Sequence, residues 1–205
     1  MTKKAPKEQR MEDIIEAAVT EFLAKGYEGA SMQAIAAQAG LTKGGLYYHY
    51  KSKDEILLAA NGKYFEPVLE FIHKAETMSC PVAGLRYFVS AYLQYWGSHP
   101  REMTFILLSL SKILACADMW PLINTYTNDM ISFYERLFAK GLTQGKFREH
   151  QPRSQATALF AALDGATPYL LISQQLSAES VAKDLEGTFI RQLTRSKTPP
   201  SISGS

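Results

Sequence analysis

The 205 residues are 46% hydrophobic and 20% charged, a balance that fills a globular interior and excludes a disordered polyelectrolyte. That length holds one large domain, or a module of about fifty residues joined to a core of about 150. The net charge is only +2 and the whole excess lies in the first 53 residues, which favours a polyanion partner at one end over a chain that coats nucleic acid or membrane throughout.

Apolar residues recur at three- and four-residue spacings and period-two alternation is absent, so the expected fold class is all-α. The first helix is predicted from about residue 7 to 25, with Met11, Ile14, Ala18 and Phe22 on one stripe and a left-handed Gly26 ending it. Ser31 caps a short helix carrying Ile35, Ala36 and Ala39 that stops at Gly40, and Thr42 caps another through about Tyr50. Ser52-Lys53-Asp54-Glu55 reads as a capping box in which Glu55 reaches back to the cap's own amide, so a long fourth helix starts here and runs to about Met78. Pro81, Pro100, Pro121 and Pro152 stand near helix starts, and Gly141 with Gly145 marks a break. Helices are therefore expected at about 82–98, 101–116, 121–143, 153–175 and 178–195, with a kink at Pro168. The polar tail from 196 to 205 has nothing to bury and is expected to be disordered.

The two short helices carry the first chemical signal. In a helix-turn-helix one short helix braces a second that enters the major groove, so the residues between them must allow close crossing and a sharp turn. Ala36 and Ala39 are small where the helices touch, Gly40 can take a positive φ, and Ile35, Leu41, Leu46 and Tyr50 supply the apolar wedge beneath. At 100° per residue, Lys43, Gly44, Tyr47, Tyr48 and Lys51 fall opposite Leu46 and Tyr50. That outward side combines cations, phenol hydroxyls and bare backbone near a helix N-terminus, the means of approaching phosphates and base edges closely. A solvated polar face on a helical hairpin would not need two tyrosines beside two glycines.

Residues 10–57 resemble the DNA-binding domain of the TetR family. Ile14, Ala18, Phe22, Gly26, Tyr27, Ser31, Ala36, Gly40, Leu46 and Leu57 stand where that pattern expects them, and AGLTKGGLYYHYKSKDEIL is a close version of its signature. Tyr50 stands where phenylalanine is common, and Gly45 where threonine, serine or alanine is common. The resemblance implies that Ser31, Thr42, Tyr47, His49 and Lys53 contact phosphates, with Arg10 adding another contact. It implies that Lys43, Gly44, Gly45 and Tyr48 lie nearest the base edges. His49 sits at the edge of the buried face, and donation to a backbone carbonyl is an equal alternative for it. Lys51 is expected to be solvated.

The same resemblance implies the architecture of the remainder: a three-helix helix-turn-helix domain over 1–53, then a larger helical bundle over 54–195 that binds a ligand and dimerises. Its last two helices are expected to pair with those of a second chain. Ala158, Ala161, Ala162 and Gly165 permit close approach, Leu159, Leu163 and Leu170 add apolar contact, and Val181, Leu185, Phe189 and Leu193 form a matching stripe. Burial within one chain would satisfy those stripes equally, but a twofold reader of DNA needs a dimer. The middle helices are rich in large aromatics, most of them core. Tyr92, Trp96, Phe105, Trp120, Asn124 and Tyr126 are the candidates to line a cavity for a mainly apolar or aromatic effector.

Other classes have weaker support. The chain has no phosphate-cradling glycine loop, no nucleophile elbow and no histidine-glutamate metal motif, and His73, His99 and His150 are scattered. No enzyme activity, cofactor or metal is expected. A helical protein-interaction module without DNA binding would explain the bundle but not the tyrosine-bearing turn. Cys80 and Cys116 lack the paired spacings of zinc and redox motifs, so free thiols in a reducing cytoplasm are expected. The basic N-terminus runs into the amphipathic MEDIIEAAVTEF, and the longest apolar stretch, Phe105 to Ala117, is too short to span a bilayer. The expected partners are double-stranded DNA with a palindromic operator, a small-molecule effector and a second copy of the chain, with no membrane; the expected location is the cytoplasm.

Overall fold

The computed structural model describes residues 7–194, and the tail expected to be disordered lies outside them. The helices in chain order are α1 (Lys7–Gly29), α2 (Met32–Gln38), α3 (Lys43–His49), α4 (Lys53–Thr77), α5 (Pro81–Ser98), α6 (Pro100–Leu114), α7 (Trp120–Thr143), α8 (Pro152–Ala166), α9 (Tyr169–Ile172) and α10 (Ala178–Leu185). No strand occurs among the described residues; one isolated antiparallel bridge joins Phe147 to Thr194. No single helix among them is long and apolar enough to cross a membrane.

Local signals account for most helix ends. Gly26 has φ 71° and ψ 169°, so α1 breaks there as expected and then adds a final turn through Gly29. Ser52 Oγ accepts from the Glu55 amide at 3.1 Å, but the Glu55 carboxylate accepts from the amide of Lys51, not of Ser52. The capping box is thus shifted by one residue on its return arm, because the Glu55 side chain reaches the donor just ahead of the cap.

Two predicted helices end early. The penultimate one was expected to bend at Pro168 and continue to about 175, but α8 stops at Ala166 and only the single turn of α9 follows. Pro168 has no amide hydrogen to give to the preceding turn and its ring crowds the carbonyl four residues back. Thr167 instead returns its hydroxyl to the Leu163 carbonyl at 2.7 Å. The last helix, expected to reach 195, is α-helical only to Leu185 and continues as a wider turn over Glu186–Ile190 and a tighter one over Arg191–Leu193.

Packing divides the chain into two compact units that do not follow sequence order. The first runs through Val68 and takes in His99–Ile123; the second is Leu69–Ser98 with the chain from Asn124 onward. In the first, Ile14, Ala18, Phe22, Ile35, Leu46, Ile56 and Phe105 are wholly buried. Each large side chain so buried contributes about 1.5–3 kcal/mol. The Phe22 ring stacks 5.6 Å from Tyr27 and 6.2 Å from Phe105, and α6 packs along α1. A polar cluster ties the same helices: Arg101 donates to Glu16 and to Thr20, each at 3.0 Å, and Lys63 donates to Glu16 at 3.1 Å.

The second unit has an aromatic core. Phe88 lies 4.7 Å from Phe133, 5.5 Å from Tyr134 and 5.7 Å from Tyr92 between ring centroids. Glycine is required here by close approach: a methyl on Gly84 would press on the Ala75 carbonyl, and one on Gly141 would overlap the Phe147 ring. Phe147 is wholly buried, and its neighbour Arg148 donates its amide to Leu193 at 2.8 Å, which fastens the end of the described chain.

Candidate nucleic-acid interface

The turn between α2 and α3 is built from its own few residues. Ser31 is extended, with φ −128°, and its Oγ accepts from the Ala34 amide at 3.1 Å. At the other end of α2, Gly40 takes φ 66°; its amide bonds to the Ala37 carbonyl at 3.1 Å and the Leu41 amide to the Ala36 carbonyl at 2.8 Å. Those two bonds form a Schellman closure, which needs a left-handed residue at Gly40. Thr42 then caps α3, its Oγ1 accepting from the Gly45 amide at 3.1 Å.

Leu46 and Tyr50 face inward, with Leu46 wholly buried, so α3 is held by one side only. Lys43, Gly44, Tyr47 and Tyr48 face solvent, and Tyr48 is 78% exposed, the fullest exposure of any large apolar or aromatic side chain described. The Lys43 ammonium stands 6.0 Å from the Tyr47 ring. Gly44 has nothing within 4 Å of the position a β-carbon would take, whereas Gly45 is half-buried with Thr42 Oγ1 at 3.3 Å. Two glycines in a seven-residue helix cost about 0.5–1 kcal/mol each relative to alanine. Nothing inside the protein demands the one at 44.

The remaining candidates occupy distinct settings. Ser31 and Thr42 spend an acceptor lone pair on capping, so each hydroxyl hydrogen stays free to donate outward. His49 is half-buried, edge-on to Tyr48 at 5.2 Å, and makes no hydrogen bond among the described residues, so the carbonyl alternative is not realised. Lys51, expected to be merely solvated, donates to the Tyr47 carbonyl at 2.8 Å and so caps the end of α3.

Lys53 is the least expected of them. Its ammonium donates to the carbonyls of Tyr27 and Ala30 at 2.8 and 2.9 Å and sits 4.5 Å from the Tyr27 ring centroid. Two of three donors are committed to the loop that carries Ser31, which leaves one for an outside acceptor. Tyr27 is a junction: its hydroxyl donates to Asp54 at 2.6 Å, and Lys112 of α6 also lies 4.5 Å from its ring. Burial first, then the Asp54 bond, raises its phenol far above the usual tyrosine range. Sequence spacing gives no hint of Lys112, since the contact closes across most of the first unit.

The candidate effector residues separate. Phe105 and Trp120 belong to the first unit, where Phe105 packs with Phe22 and Tyr64, and Trp120, 52% exposed, donates to the Leu114 carbonyl at 3.0 Å. Tyr92, Trp96, Asn124 and Tyr126 belong to the second. There Tyr92 hydrogen-bonds Tyr126 and meets Trp96 at 6.2 Å, while Asn124 is exposed. No group of three or more metal-ligating side chains occurs among the described residues, and Cys80 and Cys116 are unpaired.

Residues 14–60 match the family model described as bacterial regulatory proteins, tetR family. The chain is 25% identical over 169 residues to the uncharacterised HTH-type transcriptional regulator YfiR of Bacillus subtilis, 77% of each chain being covered. Among solved structures it is similar to the TetR family transcriptional regulator PfmR from Thermus thermophilus. There the TM-score is 0.72 at 27% identity, over 89% of this chain and 99% of that one. It also shares its fold with AibR in complex with isovaleryl coenzyme A and operator DNA, with a TM-score of 0.70 at 24% identity over 88% and 98% of the two chains.

Proposed function

As a member of the tetR family of bacterial regulatory proteins, to which residues 14–60 assign it, this chain, we propose, is a cytoplasmic, non-enzymatic repressor that a small effector releases from its operator. The observation that carries this reading is the outward face of α3, where Lys43, the bare backbone of Gly44 and the exposed rings of Tyr47 and Tyr48 share one side of a rod held only by its opposite edge. A rod of that width fits a major groove, and its cations and hydroxyls match phosphates and base edges.

Lys43, Gly44, Gly45 and Tyr48 read bases in this scheme. Ser31, Thr42, Tyr47, His49 and the third donor of Lys53 hold phosphates. A palindromic operator requires two heads roughly 34–36 Å apart, so the protein acts as a homodimer. The pairing surface is the outer side of α8 with the last helix. Ser154, Thr157, Ala158, Ala161 and Gly165 present a low, exposed face there, and Gly165 has nothing within 4 Å of where a β-carbon would be. The helical bundle receives the effector, which shifts operator affinity only by its preference between two arrangements of the heads. AibR, crystallised with both an acyl coenzyme A and operator DNA, illustrates the two ligand types on one such fold.

The test is a salt-titrated gel shift of the purified chain on DNA from upstream of its own coding sequence. Lys53→Met should weaken binding to every sequence and flatten the salt dependence by about one counterion, whereas Lys43→Met should also change which sequence is preferred. Uniform losses from both, or binding indifferent to salt, would contradict the assignment.

A further inference from the structure

Lys112 is the single charge in the apolar run from Phe105 to Ala117, and the fold of the first unit shows where that charge goes. Its side chain is only 23% exposed. A lysine at the edge of a core ordinarily lays its stem on apolar neighbours and sends its ammonium out to water. Here the ammonium stops 4.5 Å from the centre of the Tyr27 ring, with the Glu28 carboxylate at 3.8 Å. The Glu28 side chain is 85% exposed, so water screens that pair and the ring is the stronger partner.

The register of α6 aims it there. Arg101, Phe105, Ser109 and Lys112 follow one another at helical spacing on one face of α6. Arg101 donates to Glu16 and Thr20, Phe105 stacks 6.2 Å from Phe22, and Lys112 reaches Tyr27, so the contacts climb α1 and α6 together. Between them Ser109 is wholly buried, and its hydroxyl accepts from Asn61 of α4 at 2.5 Å. The last of these contacts falls beyond the break at Gly26, on the turn that leads to α2.

The ring that Lys112 meets is tied to two of the candidate phosphate contacts. The Tyr27 and Ala30 carbonyls take two donors of Lys53, whose ammonium also lies 4.5 Å from the ring, and Ala30 leads directly into Ser31, the cap of α2. The Tyr27 hydroxyl donates to Asp54 in the first turn of α4 at 2.6 Å. A shift of this ring therefore moves Lys53 and Ser31 together. Two ammoniums beside one ring repel each other, a cost that a position needing only bulk would avoid by carrying leucine or methionine. We propose that Lys112 is a positioning residue for DNA binding: it holds the Tyr27 ring, and through it Lys53 and the Ser31 loop, in the arrangement that grips phosphates, without touching DNA itself. This rests on the reading above in which Ser31 and Lys53 contact phosphates, and it adds a residue to which the sequence assigns no part in that grip.

The test uses the full chain in salt-titrated gel shifts on its upstream DNA and on an unrelated duplex, at a temperature well below the melting transition. Lys112→Met keeps the stem and removes the charge; it should weaken binding about three- to tenfold on both DNAs and leave the salt slope unchanged, since no phosphate contact is lost. Lys112→Arg, which keeps a cation over the ring, should restore most of the affinity. In a Tyr27→Leu background Lys112→Met should cost nothing further, whereas in Tyr27→Phe, which retains the ring and serves if the leucine variant does not fold, it should cost the same again. A role in stability alone would lower the thermal midpoint and leave the affinity of the folded chain untouched, so full DNA affinity in Lys112→Met overturns the proposal. A salt slope that falls by about one would make Lys112 a phosphate contact itself and overturns it equally. Lys53→Met separates the proposal from its premise. Native affinity and salt slope in that variant sink the phosphate reading and the proposal with it; a loss there beside an unaltered Lys112→Met sinks the positioning claim alone.

Discussion

Replacing Gly44 with alanine should move stability and DNA binding in opposite directions. In the protein by itself the added methyl meets nothing within 4 Å, so it introduces no clash. Gly44 has no positive φ, and alanine at a helical position is better than glycine by about 0.5–1 kcal/mol, at the lower end here because residue 44 lies in the first turn of α3. For a chain of this size that is a rise in thermal midpoint of roughly 2–4 °C per kcal/mol. If α3 enters the groove as proposed, the same methyl occupies the space through which its backbone approaches the DNA. A misfit of about 1.4 kcal/mol there is a tenfold loss of affinity. Scanning calorimetry and a gel shift at fixed salt measure the two effects separately. A variant that melts higher yet binds DNA as tightly as the native chain would refute the claim that Gly44 faces the groove, and one that melts lower would refute the packing described for α3.

Tyr50→Phe should stabilise the head by about 1 kcal/mol, because the Tyr50 hydroxyl is buried with no partner among the described residues; urea denaturation reads this, and an unchanged or lower midpoint would mean the hydroxyl is satisfied. Gly141→Ala should destabilise by about 1–3 kcal/mol as Phe147 is pushed off α7, visible as an earlier unfolding transition and a loosened C-terminal bridge in hydrogen exchange. Burial pushes the Glu16 carboxyl up, but Lys63 and Arg101 together hold it below the ordinary value of 4.5. Its stabilising contribution is therefore complete above the unfolded-state value and is lost as pH falls through the lower folded-state one. Glu16→Gln should flatten that acid limb of the stability profile; an identical pH dependence in the variant would show that the cluster contributes nothing.

How much is legible varies by residue in a physically sensible way. The break at Gly26, the closure at Gly40 and the caps at Ser31 and Thr42 depend on contacts within four or five residues, so the chain announces them locally. The outward set Lys43, Gly44, Tyr47 and Tyr48 follows from helical periodicity once Leu46 is taken as buried. The resemblance gives Lys53 only a phosphate contact, and its hold on the loop before Ser31 is not legible because its carbonyl partners lie 26 and 23 residues away. The end of α8 is misjudged from sequence because a proline inside a periodic apolar pattern either bends or stops a helix, and neighbouring contacts decide which.

Sequence alone therefore determined the helical class, the helix-turn-helix and the outward face of α3, since each follows from hydrogen bonds and periodicities confined to a turn or two of chain. Tertiary structure alone decided that α6 packs with α1, and that Tyr27 gathers Asp54, Lys53 and Lys112. Those are contacts between residues far apart in the chain. They depend on how whole helices pack, and side-chain type and spacing constrain that packing without specifying it.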